Sequence, residues 1–143
     1  MGSGKAKLIC LDTTVLVDEF RAKGNRSSSV LRTLLNHGAE VLIVPVVAAG
    51  EFLDGAAMVS NQRLQEALQL MRDRQVVPIN LEIAEQYGRL SAQLRQAGAL
   101  GKRSQNDLWI GATARCHGAR LMTRNPDDFS GIFGLEILTY TNL

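Results

Sequence analysis

Short apolar segments alternate with longer helical segments along this chain, and that alternation constrains the fold more than any other feature. The apolar segments have the length of strands and lie at 7–11, 41–44, 76–79, 120–123 and 135–139. Helical spacing or helix-start signals mark the segments 28–36, 46–58, 61–72, 80–96 and 104–116. Strands that alternate with helices form a parallel sheet covered on both faces. We therefore predict a three-layer α/β/α fold with a central, mainly parallel sheet.

The length and composition indicate one globular domain. The chain has 143 residues, of which 45% are hydrophobic and 21% charged, so it is neither disordered nor too short for a sizeable core. We expect residues 1–6 to be a flexible leader or cloning remnant and residues 7–143 to form the domain. The longest apolar stretch, 41–50, is too short to span a bilayer, so we expect a cytoplasmic protein without membrane contact. Cys10 and Cys116 do not form a disulfide framework or a metal-ligand spacing.

Acidic and amide residues from four segments are expected at one edge of the sheet. Asp12 follows the first strand, and Asn125 follows the fourth with Asp128 just behind it. Glu51 lies one to two turns into the helix after the second strand, and Asp107 lies in the first turn of the helix before the fourth. Ligands of such folds bind beyond the carboxyl ends of the strands. These side chains are therefore candidates for one shared site.

Helix capping is the competing explanation for most of these residues. Carboxylates and amides favour helix N-termini, and both Ser104-x-x-Asp107 and Asn125-Pro-Asp-Asp128 have the pattern of a capping box. Glu51 fits capping less well, because it lies beyond the first turn among apolar neighbours, where a carboxylate without a partner is costly. A hard cation such as Mg²⁺ or Mn²⁺, shared by several acids, would remove that cost. The joint pattern favours a metal site.

The histidines argue against two other kinds of site. His37 and His117 each precede a glycine at the predicted C-terminus of a helix, at the opposite edge of the sheet. Both are expected to be helix caps. A histidine-based ribonuclease mechanism and a His-ligated zinc site are therefore disfavoured.

Four motifs in order now carry a family resemblance. The segments "LICLDTTVLVD", "VPVVAAGEF", "SQNDLWIGATA" and "LMTRNPDDF" resemble the four acidic motifs of PIN-domain ribonucleases, and more closely those of VapC-type toxins of toxin-antitoxin pairs. The resemblance covers residues 7–138. It implies a PIN-like α/β/α fold, bound Mg²⁺ or Mn²⁺, and hydrolysis of single-stranded RNA or exposed RNA loops to leave a 3′-hydroxyl and a 5′-phosphate. It also implies a cognate antitoxin protein and a homodimer.

The resemblance assigns roles residue by residue. Asp12, Glu51 and Asp107 match the first three acidic positions and are expected to be metal ligands, with Glu51 either a ligand or the group that orients the attacking water. Many relatives have Asp where this chain has Asn125. Either Asp128 supplies the missing charge, directly or through a water, or one metal binds rather than two. The remaining candidates, which would support the site or hold the RNA, are Thr13, Thr14, Asn106, Thr123, Lys102, Arg103 and Arg124.

Other classes of function stay open at this point. A phosphoryl-accepting or phosphatase-like domain also has an aspartate after its first strand. Such phosphatases carry a second acid two residues later, and this chain has Thr14 at that position. A catalytically weak or inactive PIN domain that only binds RNA or a protein is harder to exclude, because Asn125 weakens the acidic set. The apolar helix at 46–58 and the amphipathic helix after it are candidates for an antitoxin groove, a dimer face or simply core.

Overall fold

The strands form a single parallel sheet, as the alternation of segments predicts. The structure, a computed structural model, describes residues 7–101 and 103–141, so the expected leader at 1–6 lies outside the described residues. The strands are β1 (Leu8–Leu11), β2 (Val41–Pro45), β3 (Gln75–Val77), β4 (Arg120–Thr123) and β5 (Ile137–Thr139). Their order across the sheet is β3-β2-β1-β4-β5, and every neighbouring pair is parallel.

Six α-helices and one 3₁₀ turn are found among the described residues. They are α1 (Thr13–Ala22), α2 (Ser29–Asn36), α3 (Val46–Val59), α4 (Asn61–Arg72), α5 (Leu81–Gln96), α6 (Gln105–Cys116) and the 3₁₀ turn Pro126–Phe129. None of these helices combines the length and apolar character that crossing a membrane requires. The three-layer α/β/α prediction is confirmed.

Two strands differ from the prediction by two residues at one end. β3 ends at Val77 because Pro78 has no backbone N–H to contribute to the ladder. β5 begins only at Ile137, since the N–H of Leu135 donates to the carbonyl of Ile132 in the preceding turn. Both differences follow from backbone hydrogen bonds that an apolar pattern does not reveal.

The helix ends agree with the sequence signals at most positions. The side chains of Asn80 and Ser104 accept hydrogen bonds from the backbone N–H groups of Ile83 and Asp107, so the predicted N-caps of α5 and α6 are confirmed. His37 and His117 are the C-caps of α2 and α6, as expected. The cap at Ser104 fixes where α6 begins and therefore where Asp107 is located.

The sheet is buried on both faces. Ile9, Cys10 and Leu11 are each 0% exposed, although consecutive strand residues point to opposite sides. Helices therefore cover both sides of β1. The chain leaves the carboxyl end of β1 at Asp12, whose N–H donates to the carbonyl of Met122 in β4 at 3.0 Å. This bond brings the ends of β1 and β4 together at the edge where ligands are expected.

A close contact of α6 sets its distance from the segment after β4. A methyl group added at Gly111, which is buried in α6, would come within 3.0 Å of the Ile132 side chain and 3.8 Å of Phe129. A methyl group added at Gly88 in α5 would have nothing within 4 Å. Only one of these two helical glycines is therefore required by packing.

We expect Gly111→Val and Gly88→Ala to have opposite effects on the free energy of unfolding. Overpacking should make Gly111→Val less stable by about 1–3 kcal/mol. Gly88→Ala should be more stable by about 1 kcal/mol, because alanine is the better helix former. Chemical denaturation monitored by circular dichroism measures both. Equal stability of Gly111→Val and the wild type would show that α6 has room to move at this contact.

Candidate metal-binding active site

Asp12 is buried at the carboxyl edge of the sheet and is held by two hydroxyl groups. Its side chain is 3% exposed. Thr123 at the end of β4 donates to its Oδ2 at 2.8 Å, and Thr14 in the first turn of α1 donates to the same oxygen at 3.0 Å. Asp12 is also the N-cap residue of α1, although its side chain makes no capping hydrogen bond. The carboxylate is thus oriented by two different segments, and neither hydroxyl uses Oδ1.

Burial is the main influence on the charge of Asp12. It raises the pKa of this carboxyl above its ordinary value, while the hydrogen bonds from Thr123 and Thr14 oppose the shift without cancelling it. A buried carboxylate of this kind is costly as an anion unless positive charge is supplied. Asp12 therefore has the properties of a ligand for a cation.

Thr14 joins the start of α1 to the segment after β4. Its hydroxyl oxygen accepts the backbone N–H of Arg124 at 3.1 Å and lies 3.4 Å from the hydroxyl of Thr123. The hydroxyl of Thr123 in turn accepts the N–H of Asn125 at 3.0 Å. The residues that orient Asp12 are therefore fixed to each other as well as to the carboxylate.

Glu51 is held by Thr13, the residue before Thr14 in the chain. The hydroxyl of Thr13 donates to Glu51 Oε1 at 2.8 Å across the 38 residues that separate them in sequence. Glu51 is half-buried, so the expectation of a buried carboxylate that lacks a protein partner is wrong. The position one to two turns into α3 lets the long side chain face α1 instead of the apolar core. Two consecutive threonines thus hold two different carboxylates.

Asp107 lies within the electrostatic range of the other acids. Burial raises its pKa most, a hydrogen bond with Ser104 lowers it, and the negative charges of Asp128, Asp12 and Glu51 raise it further. The Ser104 hydroxyl also accepts the N–H of Asp107 at 3.0 Å. Carboxylates from three other segments are therefore close enough to act on Asp107, and capping and site formation coexist at this residue.

Asn125 and Asp128 occupy the turn after β4. Both are exposed. The negative charge of Asp128 raises the pKa of Asp107 more than the charge of Asp12 or the charge of Glu51 does. The predicted capping box at Asn125 is wrong, because its side chain accepts no capping bond and the N–H of Asp128 donates instead to the backbone carbonyl of Asn125 at 3.2 Å. The turn is 3₁₀ and too short for a full helical N-terminus.

The two arginines among the basic candidates have protein partners of their own. The guanidinium of Arg103 donates to the backbone carbonyls of Ala99 and Ser130, which ties the loop before α6 to the segment after the 3₁₀ turn. Arg124 forms an ion pair with Asp18 at 3.5 Å. Asn106 is exposed on the first turn of α6, and Lys102 lies outside the described residues. A role of these residues in RNA binding stays a prediction.

Sequence reasoning missed the partner of Arg124. Asp18 is 4% exposed and accepts a hydrogen bond from the hydroxyl of Tyr140 at 2.7 Å. The available signal was its position four residues after Thr14, which puts both side chains on one face of α1. Tyr140 offered no comparable signal, because its contact depends on how the end of β5 approaches α1.

The set of donor atoms fits a hard dication. It consists of carboxylate oxygens, and hydroxyl and amide groups surround them. Oxygen ligands of this kind are the ones that Mg²⁺ and Mn²⁺ prefer. Their mutual repulsion is strong enough to raise the pKa of Asp107. Among residues 7–101 and 103–141, no three acidic, histidine or cysteine side chains already lie in a metal-binding arrangement. Like charges favour separated side chains, and a bound dication would offset that repulsion.

Comparison with known proteins identifies the family. The PIN domain model matches residues 9–132, which is most of the chain. The chain belongs to the PIN domain family. The similarity to PIN-domain proteins that the four acidic motifs carry is thereby confirmed, and the matched residues include Asp12, Glu51, Asp107 and Asn125.

Individual relatives match over nearly their whole length. Ribonuclease VapC1 of Rickettsia felis is 29% identical over 140 residues, covering 94% of this chain and 97% of the relative. Ribonuclease VapC11 of Mycobacterium tuberculosis is 30% identical over 122 residues, covering 84% and 88%. Among solved structures, VapBC2 of Rickettsia felis bound to a DNA fragment from its promoter matches with a TM-score of 0.80 at 21% identity, covering 93% and 98%. This likeness shows the same fold.

The burial of Asp107, together with its repulsion by the neighbouring acids, predicts that Asp107→Asn stabilises the metal-free protein. The pKa of Asp107 in the folded state is raised above its ordinary 3.8, so the native state loses stability as pH rises from that value through the folded pKa. Asparagine does not titrate. In EDTA we therefore expect Tm of Asp107→Asn to exceed that of the wild type at pH 7, with the difference disappearing below about pH 4.

The exposed neighbour on the 3₁₀ turn supplies the control. Asp127→Asn removes the same charge from the surface and should leave the pH dependence of Tm unchanged. If Asp107→Asn and Asp127→Asn give the same pH dependence, folding does not raise the pKa of Asp107, and neither burial nor the neighbouring acids act on it as described.

Proposed function

We propose that this PIN domain is a divalent-metal-dependent endoribonuclease and the toxin of a toxin-antitoxin pair. The observation that carries the proposal is the arrangement of acids at one edge of the sheet, where Asp12 is buried and held by two hydroxyl groups and where Asp12, Glu51 and Asp128 lie close enough to Asp107 for their charges to raise its pKa. Relatives that match nearly end to end are named ribonucleases. The domain that acts is residues 7–143.

The ligands of the ion are assigned by position. Asp12 and Asp107 are the principal ligands, Glu51 is a further ligand or orients the attacking water, and Asn125 and Asp128 contribute the remaining oxygen donors. A bound Mg²⁺ or Mn²⁺ supplies the positive charge that acidifies the attacking water and stabilises the charge on the scissile phosphate. The like charges of these carboxylates are unfavourable when no ion is bound, and their interaction with a dication would be favourable.

The chain's own residues orient these groups. Thr14 and Thr123 fix Oδ2 of Asp12, Thr13 fixes Oε1 of Glu51, and Ser104 fixes the backbone of Asp107. Outer hydrogen bonds of this type set the orientation of metal ligands and their affinity. Cleavage leaves a 3′-hydroxyl and a 5′-phosphate, because the attacking nucleophile is water and not the 2′-hydroxyl of the RNA.

An antitoxin segment is the second partner in this proposal. A groove of about 580 Å³ lies beside α1 and α4, and a second groove of about 170 Å³ continues along α1 and α3. Phe20 and Arg63 line both, and Glu51 lines the second. Apolar side chains with a charged rim suit an amphipathic helix. An occupant of these grooves would therefore reach the edge of the catalytic site.

The exposed end of α3 is the face we assign to a homodimer. Met58 is 81% exposed and Val59 72%, whereas Ala48, Ala49 and Phe52 earlier in the helix belong to the core.

An RNA substrate and a protein antitoxin are consistent with action in the cytoplasm. The phosphatase alternative is weaker, because Thr14 is a donor to Asp12 and supplies no second carboxylate.

We expect purified protein to cleave a structured, end-labelled RNA pool in Mg²⁺ or Mn²⁺ and not in EDTA. Asp107→Asn and Asp12→Asn should each lower the cleavage rate by at least about 100-fold, since loss of outer hydrogen bonds alone costs about 10–100-fold. Sensitivity of the products to a 5′-phosphate-dependent exonuclease tests the predicted ends. Asp127→Asn is the matched control and should cleave as the wild type does.

Two results would contradict this proposal. Cleavage that persists in EDTA with 2′,3′-cyclic phosphate ends would indicate attack by the 2′-hydroxyl. If neither the wild type nor the control variant cleaves RNA, and calorimetry detects no Mn²⁺ binding, the domain is a binding module.

Asn125→Asp tests the weakened fourth position. An additional carboxylate at this exposed position should lower the Mn²⁺ concentration that gives half-maximal cleavage, because a charged oxygen ligand binds a dication more strongly than an amide does. Calorimetric stoichiometry would then report whether one or two ions bind. Asn61→Asp, which adds the same charge to α4, is the control. An unchanged Mn²⁺ requirement would show that the side chain at position 125 takes no part in metal binding.

A further inference from the structure

A chain of contacts connects the end of β5 to the candidate ligand Asp12. The hydroxyl of Tyr140 donates to Asp18 Oδ2 at 2.7 Å, and Arg124 Nη1 lies 3.5 Å from Asp18 Oδ1. The two oxygens of one carboxylate therefore hold a residue after β5 and a residue after β4. Asp18 thus ties α1 to both strand ends.

Arg124 is held at two points by the same helix. Asp18 attracts its guanidinium, and Thr14, one turn earlier in α1, accepts its backbone N–H at 3.1 Å. Thr14 at the same time donates to Asp12 at 3.0 Å. A displacement of Arg124 would therefore displace the hydroxyl that orients Asp12, and with it Thr123, which precedes Arg124 in the chain.

We propose that Tyr140 and Asp18 are positioning residues that act through Arg124 to hold Thr14 and Thr123 against Oδ2 of Asp12. This role rests on the proposed metal-dependent nuclease function. Rotation of the Asp12 carboxylate would change the direction in which Oδ1 is presented, so the two residues would set the orientation of a candidate metal ligand that they do not touch.

The burial of the two residues excludes a direct contact with RNA. Tyr140 is 7% exposed and Asp18 is 4% exposed, so a substrate cannot reach either side chain. Burial, together with the hydrogen bond to Asp18 and its negative charge, raises the pKa of Tyr140, and its hydroxyl therefore remains a donor across the working pH range. Any effect of removing that hydroxyl on metal binding or turnover must pass through the protein.

Tyr140→Phe removes the hydroxyl alone and is the test variant. We expect its affinity for Mn²⁺, measured by calorimetry on RNA-free protein, to fall by about 10-fold, and kcat to fall with it, as for other outer partners of metal ligands. KM for a defined RNA should stay within about 2-fold, because a change in KM reports lost substrate binding and neither residue contacts the RNA. Tyr87→Phe, at the chain's other tyrosine, is the matched control and should match the wild type.

A second pair of variants separates positioning from a general loss of stability. Ile83→Val truncates a fully buried side chain in α5 and should lower Tm without changing Mn²⁺ affinity. Asp18→Asn should weaken Mn²⁺ binding as Tyr140→Phe does, and the double variant should be no weaker than the more affected single variant. Residues that act in one chain of contacts are expected to be non-additive in this way.

The possible failures are distinguishable. If wild-type protein neither binds Mn²⁺ nor cleaves RNA, the proposed function fails and the positioning role fails with it. If wild type is active and Tyr140→Phe matches Tyr87→Phe in Mn²⁺ affinity and kcat, only the positioning role is overturned. A rise in KM with unchanged Mn²⁺ affinity would also overturn it, because the network would then serve RNA binding.

Discussion

The burial of the Asp12 carboxylate at the carboxyl end of β1 is the constraint on which the site depends. A carboxylate 3% exposed must be compensated, and the fold provides hydroxyl donors from α1 and from the end of β4. Those donors can meet only because β1 and β4 are parallel neighbours that end at the same edge. The orientation of the Asp12 side chain therefore depends on the order of the strands in the sheet.

The other acids accumulate at that edge with different degrees of support. Glu51 has one hydroxyl donor, Asp107 has the capping serine, and Asp128 is exposed on a short 3₁₀ turn. Proteins commonly keep strained or repelling groups where function requires them and offset the cost elsewhere. Here the offset lies in a sheet buried on both faces and in a helix, α6, that packs closely through Gly111.

Much of the fold followed from local pattern. Apolar runs and helical spacing located every strand and every described helix except α1, which was not among the predicted helical segments. Asn80 and Ser104 were recognisable as caps because a cap bonds within its own first turn. The errors have local physical causes as well. Pro78 ended β3, a turn delayed β5, and the 3₁₀ geometry at Pro126 left the side chain of Asn125 out of any cap.

The amino-acid sequence by itself determined the alternation of elements and which acids stand at strand ends and first helical turns, since these depend on residues close together in the chain. Only the tertiary structure decided which group holds which carboxylate. Thr13 meets Glu51 across 38 residues, Thr123 meets Asp12 across 111, and Tyr140 meets Asp18 across 122. The physical reason is that hydrogen bonds need donors within about 3 Å. That precision arises from the register of packed strands and helices, which no spacing along the chain encodes.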